Sequence, residues 1–244
     1  MLIVLSPAKT LDFETPVAPP EESVPALLDD AETIVERMRR FSPAKLGTLM
    51  SISERLAEEN AGRFKSWTKD HAAAPARAAV FAFRGDVYRG LDADSLSKPE
   101  LRRAQKQLRI LSGLYGVLRP LDRIHPYRLE MGTRVTIARR ADLYAYWGDR
   151  VTDELQTAIR AAKARVLINL ASNEYFRAVR PARLDVPVVT PVFMERKDGK
   201  PRVMSFFAKR SRGELARHII VDRVRTLDDL RSYRGSRYRF DTKL

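Results

Sequence analysis

The chain has 244 residues, of which 44% are hydrophobic and 31% charged, and it contains no cysteine. This length and composition predict one folded domain over residues 1–244 and exclude a disulfide framework, an iron–sulfur cluster and a thiol redox switch. No apolar run approaches the ~20 residues of a membrane-spanning helix, and the short run Leu2–Leu5 ends too soon for a signal peptide. We therefore expect a cytoplasmic protein that does not associate with membranes.

Basic residues outnumber acidic residues by 45 to 31, so the formal net charge is +14. An excess of this size favours nucleic acid, another polyanion or an anionic small molecule as the partner. A composition rich in alanine and arginine explains many arginines, but it does not explain more cations than anions. Composition alone leaves nucleic-acid binding and an ordinary basic surface both open.

The chain begins with a predicted buried strand, Leu2–Leu5, which ends in a turn that carries Ser6, Lys9 and Thr10. Residues that follow a buried strand in a loop are often binding residues. A second polar turn, with the sequence FRGDVYRG, carries Arg84. Both turns are therefore candidate parts of a site.

Two helices are predicted between these turns. The first spans about 26–40, after a proline-rich connection. Ser42 and Pro43 then form an N-cap followed by a proline in the first turn of the next helix. The apolar stripe of that helix comprises Leu46, Leu49, Met50 and Leu56.

Ser97 and Glu100 fit a capping box at the start of another helix. Leucine and alanine recur on one face as far as Leu111, so the helix is predicted to continue to that residue. The opposite face is basic and comprises Arg102, Arg103, Lys106 and Arg109. Solvated helices often carry such a face, so nucleic-acid contact and simple solvation both stay open.

The segment 112–132 combines turn glycines, cations, aromatic residues and a carboxylate. Gly113 and Gly116 allow a close backbone approach beside positive charge, which favours an anionic partner such as a phosphate. Pro120 and Pro126 exclude one continuous helix. The end of the segment suits a small-ligand pocket better, because it carries Tyr127, Arg128 and Glu130.

A helix over 142–162 and a strand over 165–170 are predicted next. The strand ends in a polar turn with Asn169, Ser172 and Glu174. Two further strand-like runs, 186–195 and 202–207, flank the sequence Lys197-Asp198-Gly199-Lys200, which is typical of a β-hairpin with Asp-Gly at its tip.

Ser211 and Glu214 fit a second capping box, for a helix that ends near Val224. Three cations would then lie at the N-terminus of this helix, namely Lys209, Arg210 and Arg212. The helix macrodipole disfavours cations there unless an anion is bound nearby. This conflict favours an anion-binding role.

The polar turns supply the candidate site residues. If they converge, they form one cleft for a nucleobase or a phosphate, with Lys9 as electrophile or phosphate ligand and Glu130 or Glu174 as general base. Ordinary ion pairs with neighbouring arginines are the alternative for these carboxylates. The expected pocket comprises Ser6, Lys9, Thr10, Arg84, Tyr127, Arg128, Glu130, Asn169 and Ser172.

The sequence predicts no metal site and no cofactor. His71, His125 and His218 are far apart and share no spacing typical of metal ligands. The chain has no glycine-rich phosphate loop that ends in Gly-Lys-Ser or Gly-Lys-Thr, and no dinucleotide-binding fingerprint.

Several of these motifs resemble the YaaA family, the bacterial peroxide-stress response proteins, from residue 1 to about residue 241. The matching segments are Leu5-Ser-Pro-Ala-Lys-Thr-Leu11, Arg84-Gly-Asp-Val-Tyr88, residues 112–132, Tyr146-Trp-Gly-Asp149, Asn169-Leu-Ala-Ser172 with Glu174-Tyr175-Phe176, and Ser205-Phe206 with Ala208-Lys209 and Arg212-Gly213. The resemblance implies a single mixed α/β (α+β) domain of an unusual fold. It also implies DNA binding through a positively charged cleft, a helix-hairpin-helix element at about 105–122, and lower free intracellular iron, hence less Fenton damage, during peroxide stress.

We therefore predict a cytoplasmic stress protein that binds double-stranded DNA with low sequence specificity. The predicted nucleic-acid contacts are Arg102, Arg103, Lys106, Arg109, Gly113, Gly116, Arg119, Lys209, Arg210 and Arg212. One departure concerns the glycines, because helix-hairpin-helix elements usually hold them two residues apart and here they are three apart. The alternative is an enzyme that acts on a nucleobase, a nucleotide or another anionic small molecule in the same cleft.

Overall fold

Four aliphatic residues, Leu2–Leu5, form the central strand of the main sheet, and their side chains are fully buried. The computed structural model describes residues 1–72, 75–197 and 200–241. In it this strand pairs in parallel with Leu108–Ser112 on one side and with Leu167–Asn169 on the other. A continuous apolar run is what a parallel strand needs, because both of its faces are covered. The predicted strands at Leu2–Leu5 and within 165–170 are confirmed.

The described elements have the following bounds. The strands are β1 (Leu2–Leu5), β2 (Thr10–Leu11), β3 (Arg77–Ala78), β4 (Phe83–Arg84), β5 (Leu108–Ser112), β6 (Gly116–Leu118), β7 (Arg123–Ile124), β8 (Leu167–Asn169), β9 (Val188–Val189), β10 (Glu195–Lys197) and β11 (Lys200–Arg202). The helices are α1 (Leu28–Met38), α2 (Pro43–Met50), α3 (Glu54–Ser66), α4 (Ala79–Ala82), α5 (Asp86–Leu91), α6 (Lys98–Gln107), α7 (Leu143–Trp147), α8 (Arg150–Ala161), α9 (Asn173–Phe176), α10 (Ser205–Val221) and α11 (Leu227–Arg231). Short 3-10 helices occupy Ala93–Ser95 and Pro181–Arg183.

The main sheet has the order β6-β5-β1-β8-β9, with β6 antiparallel to β5 and the other neighbours parallel. Short antiparallel pairs join β2 to β4, β3 to β7 and β10 to β11. Helices α6 and α9 contact β5, and α8 contacts β6, so helices cover this sheet. The predicted mixed α/β fold class is confirmed. None of the helices in the described ranges is long and apolar enough to cross a membrane.

The predicted helix starts are confirmed at two places, whereas two predicted helices are divided. Ser42 caps α2 through a hydrogen bond from the Lys45 amide, and the Ser97–Glu100 capping box begins α6. Helix α2 ends at Met50, so Leu56 belongs to the next helix and not to the same stripe. The predicted helix over 142–162 is broken at Gly148, which has a φ of 52°.

The structure does not confirm the helix-hairpin-helix element expected at 105–122. Helix α6 ends at Gln107, and Leu108–Ser112 continues as β5 beside the central strand. Ser112 then pairs with Gly116 at the start of β6, so the two glycines belong to a β-hairpin. The apolar spacing that suggested a longer helix also fits a strand that is buried on both faces, and pairing with β1 decides between them.

The predicted start of α10 is wrong. The helix begins at Ser205, so the strand predicted over 202–207 ends at Arg202, and Ser211 lies buried inside the helix. Lys209, Arg210 and Arg212 are therefore not at a helix N-terminus, and the predicted conflict with the macrodipole does not arise. A hairpin is confirmed at this place by the antiparallel pair β10–β11, although its strands are shorter and nearer the tip than predicted. The run 186–195 is not one strand, because Val188–Val189 forms β9 of the main sheet and Glu195 begins β10. The Asp198-Gly199 tip lies outside the described residues.

Candidate functional site

The carboxyl ends of β1 and β8 lie side by side, and the turns after them are hydrogen-bonded to each other. Ser172 donates its backbone N–H to Ser6 Oγ over 2.8 Å, and the two side-chain oxygens are 3.3 Å apart. Tyr88 of α5 donates its hydroxyl to the Ser6 carbonyl over 3.0 Å. The chain leaves β1 toward β5 on one side and later reaches β8 on the other, which makes this edge a topological switch point.

Lys9, on the turn that follows β1, forms a cation–carboxylate–cation group with Glu130 and Arg128 from the segment after β7. Lys9 Nζ is 3.3 Å from Glu130 Oε1, and Arg128 Nε donates to the same oxygen over 3.1 Å. The Lys9 side chain is 68% exposed, whereas those of Arg128 and Glu130 are 18% and 15% exposed. Glu130 is therefore held between two cations, of which only Lys9 reaches freely into solvent.

Glu174 joins this group through the backbone. Its Oε1 accepts a hydrogen bond from the Gly132 amide over 3.0 Å, and its carbonyl accepts one from the Tyr144 hydroxyl over 2.9 Å. Gly132 follows Glu130 by two residues, so both candidate carboxylates lie on one stretch of surface. We call the residues on this stretch the switch-point cluster, and they are Ser6, Lys9, Arg128, Glu130, Ser172 and Glu174.

Two buried tyrosines, Tyr127 and Tyr175, lie near the carboxylates of this cluster. Tyr127 Oη lies 2.6 Å from Ser112 Oγ, and burial raises the pKa of Tyr127 well above its ordinary value. Burial likewise raises the pKa of Tyr175, with smaller contributions from Tyr127, Glu174 and Glu130. Both hydroxyls therefore stay protonated. Tyr175 has no predicted role of its own, although it lies beside Glu174 in the polar turn and in the matching segment Glu174-Tyr175-Phe176.

Three predicted pocket residues are used in structural contacts instead. Arg84 donates Nε and Nη2 to Asp12 Oδ2 over 3.1 and 3.0 Å, and Nη1 to Asp94 over 2.6 Å. Asn169 accepts from the Ala171 amide and donates to Thr190, so it shapes the turn after β8. Thr10 pairs with Arg84 in the short ladder β2–β4. These contacts satisfy the polar groups of Arg84 and Asn169.

Four of the predicted nucleic-acid contacts are exposed cations. Arg102 and Lys106 lie on the outer face of α6, and Lys209 and Arg210 lie on α10. Arg210 donates to Glu214 over 3.2 Å in its own helix. Within the described ranges, Arg102, Lys106 and Lys209 have neither an ion pair nor a side-chain hydrogen bond. They are the predicted residues best placed to meet a polyanion.

Three other predicted cations are held by hydrogen bonds within the protein, and a fourth, Arg212, lies partly buried. Arg109 was expected on an exposed helix face, but it lies in β5, is 7% exposed and donates to the carbonyls of Gln105 and Leu108. Arg103 donates to the Ile220 carbonyl, and Arg119 donates to the buried Asp122 and to the Val24 carbonyl. Arg212 is half-buried, and desolvation lowers its pKa. Arg109 is therefore not placed to contact DNA.

Gly113 and Gly116 are buried and serve internal packing. A Cβ on Gly113 would lie 2.3 Å from the Leu129 carbonyl oxygen, and the Gly113 carbonyl accepts from the indole of Trp147. Gly116 has a φ of +66°, and the Trp147 ring covers it. The expected approach of these two backbones to a phosphate therefore does not fit their position, because protein already occupies that space.

The polar cluster does not coincide with the two described cavities. One, of about 570 Å³, is lined by His218, Asp222, Arg223, Val224, Asp228, Asp229 and Ser232. The other, of about 440 Å³, lies between α2 and α3. Within residues 1–72, 75–197 and 200–241, no three histidine, aspartate or glutamate side chains are grouped to hold a metal ion.

Comparison with known proteins assigns the chain to a family. The family model for the peroxide stress protein YaaA matches residues 1–244. A UPF0246 protein of Burkholderia thailandensis is 51% identical over 243 residues, covering 99% of this chain and 94% of the relative. UPF0246 proteins of Shewanella pealeana and Shewanella woodyi are 50% and 49% identical, and cover 100% and 96% of this chain and 95% and 91% of their own lengths. The chain therefore belongs to the YaaA family of peroxide stress proteins.

Proposed function

We propose that this protein acts in the cytoplasm during peroxide stress by binding double-stranded DNA with little sequence preference. The proposal rests on charge: the chain has 45 basic and 31 acidic residues. In the described structure, some of these cations are exposed and have no partner, and they lie on two helices that contact each other. Arg102 and Lys106 lie on α6, Lys209 lies on α10, and these two helices touch. Exposed cations can each neutralise a phosphate and release its counterion.

Replacement of the three exposed cations tests this proposal. The variant Arg102→Ala, Lys106→Ala, Lys209→Ala should bind duplex DNA more weakly, and the log–log dependence of affinity on salt should flatten by about 0.9 for each lost contact. The matched control is Lys45→Ala, Arg55→Ala, Lys65→Ala, which removes the same charge from exposed positions on α2 and α3. Equal flattening in both variants would contradict a localised DNA surface.

We also propose that DNA binding limits damage from free iron under peroxide. The resemblance to the family supports this link, and the same triple variant tests it in cells. A strain that carries the triple variant should show more DNA lesions after peroxide treatment than a strain that carries the control variant. If both strains contain the same amount of protein and show the same number of lesions, protection from iron does not depend on DNA binding by these cations.

A second candidate function is an enzyme that acts on a nucleobase, a nucleotide or another anionic small molecule. The switch-point cluster favours it, because ligands of open parallel sheets bind beyond the carboxyl ends of the strands. In this reading Lys9, which is exposed, holds the anion, and Glu130 or Glu174 moves a proton.

Calorimetric titration with nucleoside monophosphates and with inorganic phosphate tests the second candidate. The wild-type protein should bind a monophosphate, and Lys9→Ala should lose that binding. Glu130→Gln should still bind the monophosphate but should no longer convert it to product. The control is Glu22→Gln, which replaces another paired carboxylate and should change neither binding nor conversion. Absence of binding by the wild-type protein, or full turnover in Glu130→Gln, would remove this candidate.

A further inference from the structure

A tight turn at residues 137–140 presents arginine in an unfavourable backbone conformation. Ile137 and Arg140 exchange backbone hydrogen bonds of 3.0 and 2.7 Å, and the two residues between them, Ala138 and Arg139, have φ values of 44° and 65°. Two-residue hairpins with two positive φ angles strongly favour Asn-Gly or Asp-Gly. Neither position here has such a residue, so the turn is held against local preference.

The base of this turn is firmly anchored. Val135 and Ile137 are buried, and α7 begins just after the turn with Leu143 fully buried. Arg37 of α1 donates Nε to the Thr136 carbonyl over 3.2 Å. The turn is therefore held in place from both sides. Its conformation is set by its anchors and not by its own sequence.

The three arginines of the segment 134–140 are exposed, and we call them the arginine tip: Arg134, Arg139 and Arg140. Alternate burial of Val135 and Ile137 places Arg134 on the outward face, and the other two lie at or beside the tip. Across the described part of the chain, none of the three takes part in an ion pair or a side-chain hydrogen bond. Most other arginines do, including Arg84, Arg123, Arg150 and Arg237.

We propose that the arginine tip is a preformed contact for the phosphate backbone of double-stranded DNA, an inference that rests on the DNA binding proposed above. Strained backbone is retained mainly where it serves function, and here the strained residue is itself a cation without a partner. Because the backbone of the turn is already ordered, contact with a phosphate does not have to order it.

Arg139→Gly separates this role from a structural one. Glycine suits a φ of 65°, so the variant should melt at a higher temperature than the wild-type protein while it binds a short mixed-sequence duplex more weakly. The slope of log affinity against log salt should flatten by about 0.9, and by about twice that in Arg139→Gly with Arg140→Ala. Higher stability with weaker binding is not what a scaffold residue would give.

Arg223→Gly is the matched control, because Arg223 is also exposed and has a φ of 56° at the end of α10. It should gain stability with no change in the salt slope. The inference is overturned if Arg139→Gly binds the duplex like the wild-type protein, or if Arg223→Gly flattens the salt slope equally. It is also overturned if Arg139→Gly binds an RNA hairpin more weakly but binds the DNA duplex unchanged. A wild-type protein that binds no duplex at low salt would instead refute the proposed DNA binding itself.

Discussion

His71 and His125 lie together in the core, with ring centroids 4.5 Å apart. The Tyr115 hydroxyl accepts from Trp67 Nε1 over 2.8 Å and from the His125 amide over 3.2 Å, and it lies 3.1 Å from His71 Nε2. With both acceptor positions used, Tyr115 donates its proton to His71 Nε2. His71 therefore carries its own proton on Nδ1 and donates it to the Lys69 carbonyl. Burial lowers the pKa of His71 from 6.5 to about 4.

This histidine should make the protein less stable in mild acid. The unfolded chain binds a proton on His71 below pH 6.5, whereas the folded chain does so only near pH 4, so the free energy of unfolding falls between these values. At pH 5, His71 should lower the free energy of unfolding by ~2 kcal/mol relative to neutral pH. Urea unfolding at neutral pH and at pH 5 measures this loss. His71→Gln has no titrating group at this position and should lose less stability in acid than the wild-type protein. An equal drop in both proteins would show that His71 is not responsible.

The sequence contains these cations and histidines, but it does not show which groups they contact in the folded protein. Arg102 and Arg109 both fit the basic face of one predicted helix, yet one is exposed and the other is buried in β5. Arg119 is held by Asp122, three residues later, and by the carbonyl of Val24, nearly a hundred residues earlier. Such long-range contacts decide which arginines are free, and no local pattern contains them.

At the scale of elements, α10 packs on α5 through two glycines. A Cβ on Gly213 would lie 1.8 Å from the Val87 carbonyl oxygen, and one on Gly90 would lie 2.1 Å from the Arg210 carbonyl oxygen. The backbones therefore touch, and α10 must already be helical there. This contact explains why residues 210–213 are already helical, although Ser211 and Glu214 match a capping box. Capping motifs predict helix starts well only when tertiary packing agrees, as it does at Ser97.

Gly213→Ala should separate these two helices. The added methyl group meets backbone atoms that cannot move aside, so we expect a loss of about 3 kcal/mol or more in the free energy of unfolding. Gly62→Ala is the control, because a Cβ there meets nothing within 4 Å on α3 and should stabilise the protein by about 0.5–1 kcal/mol. Chemical denaturation measures both. A neutral Gly213→Ala would mean that α10 does not lie against α5.

At the scale of the whole molecule, the sheet brings together polar turns that are distant in sequence. Ser6 and Ser172 meet because β1 and β8 are parallel neighbours, which a strand–turn pattern at both places already suggested. Glu130 reaches Lys9 from a segment without regular structure, and that contact depends on the path of the whole chain. The convergence of the turns was therefore predictable in outline, whereas its geometry required the fold.

We propose that exposed cations of this protein bind the phosphates of duplex DNA. The most direct test is the affinity of the wild-type protein for a short mixed-sequence duplex between about 50 and 200 mM salt. Contacts from Arg102, Lys106 and Lys209 alone predict a log–log slope of about −2.7 or steeper. A slope near zero, or no binding at the lowest salt, would show that these cations do not bind DNA phosphates.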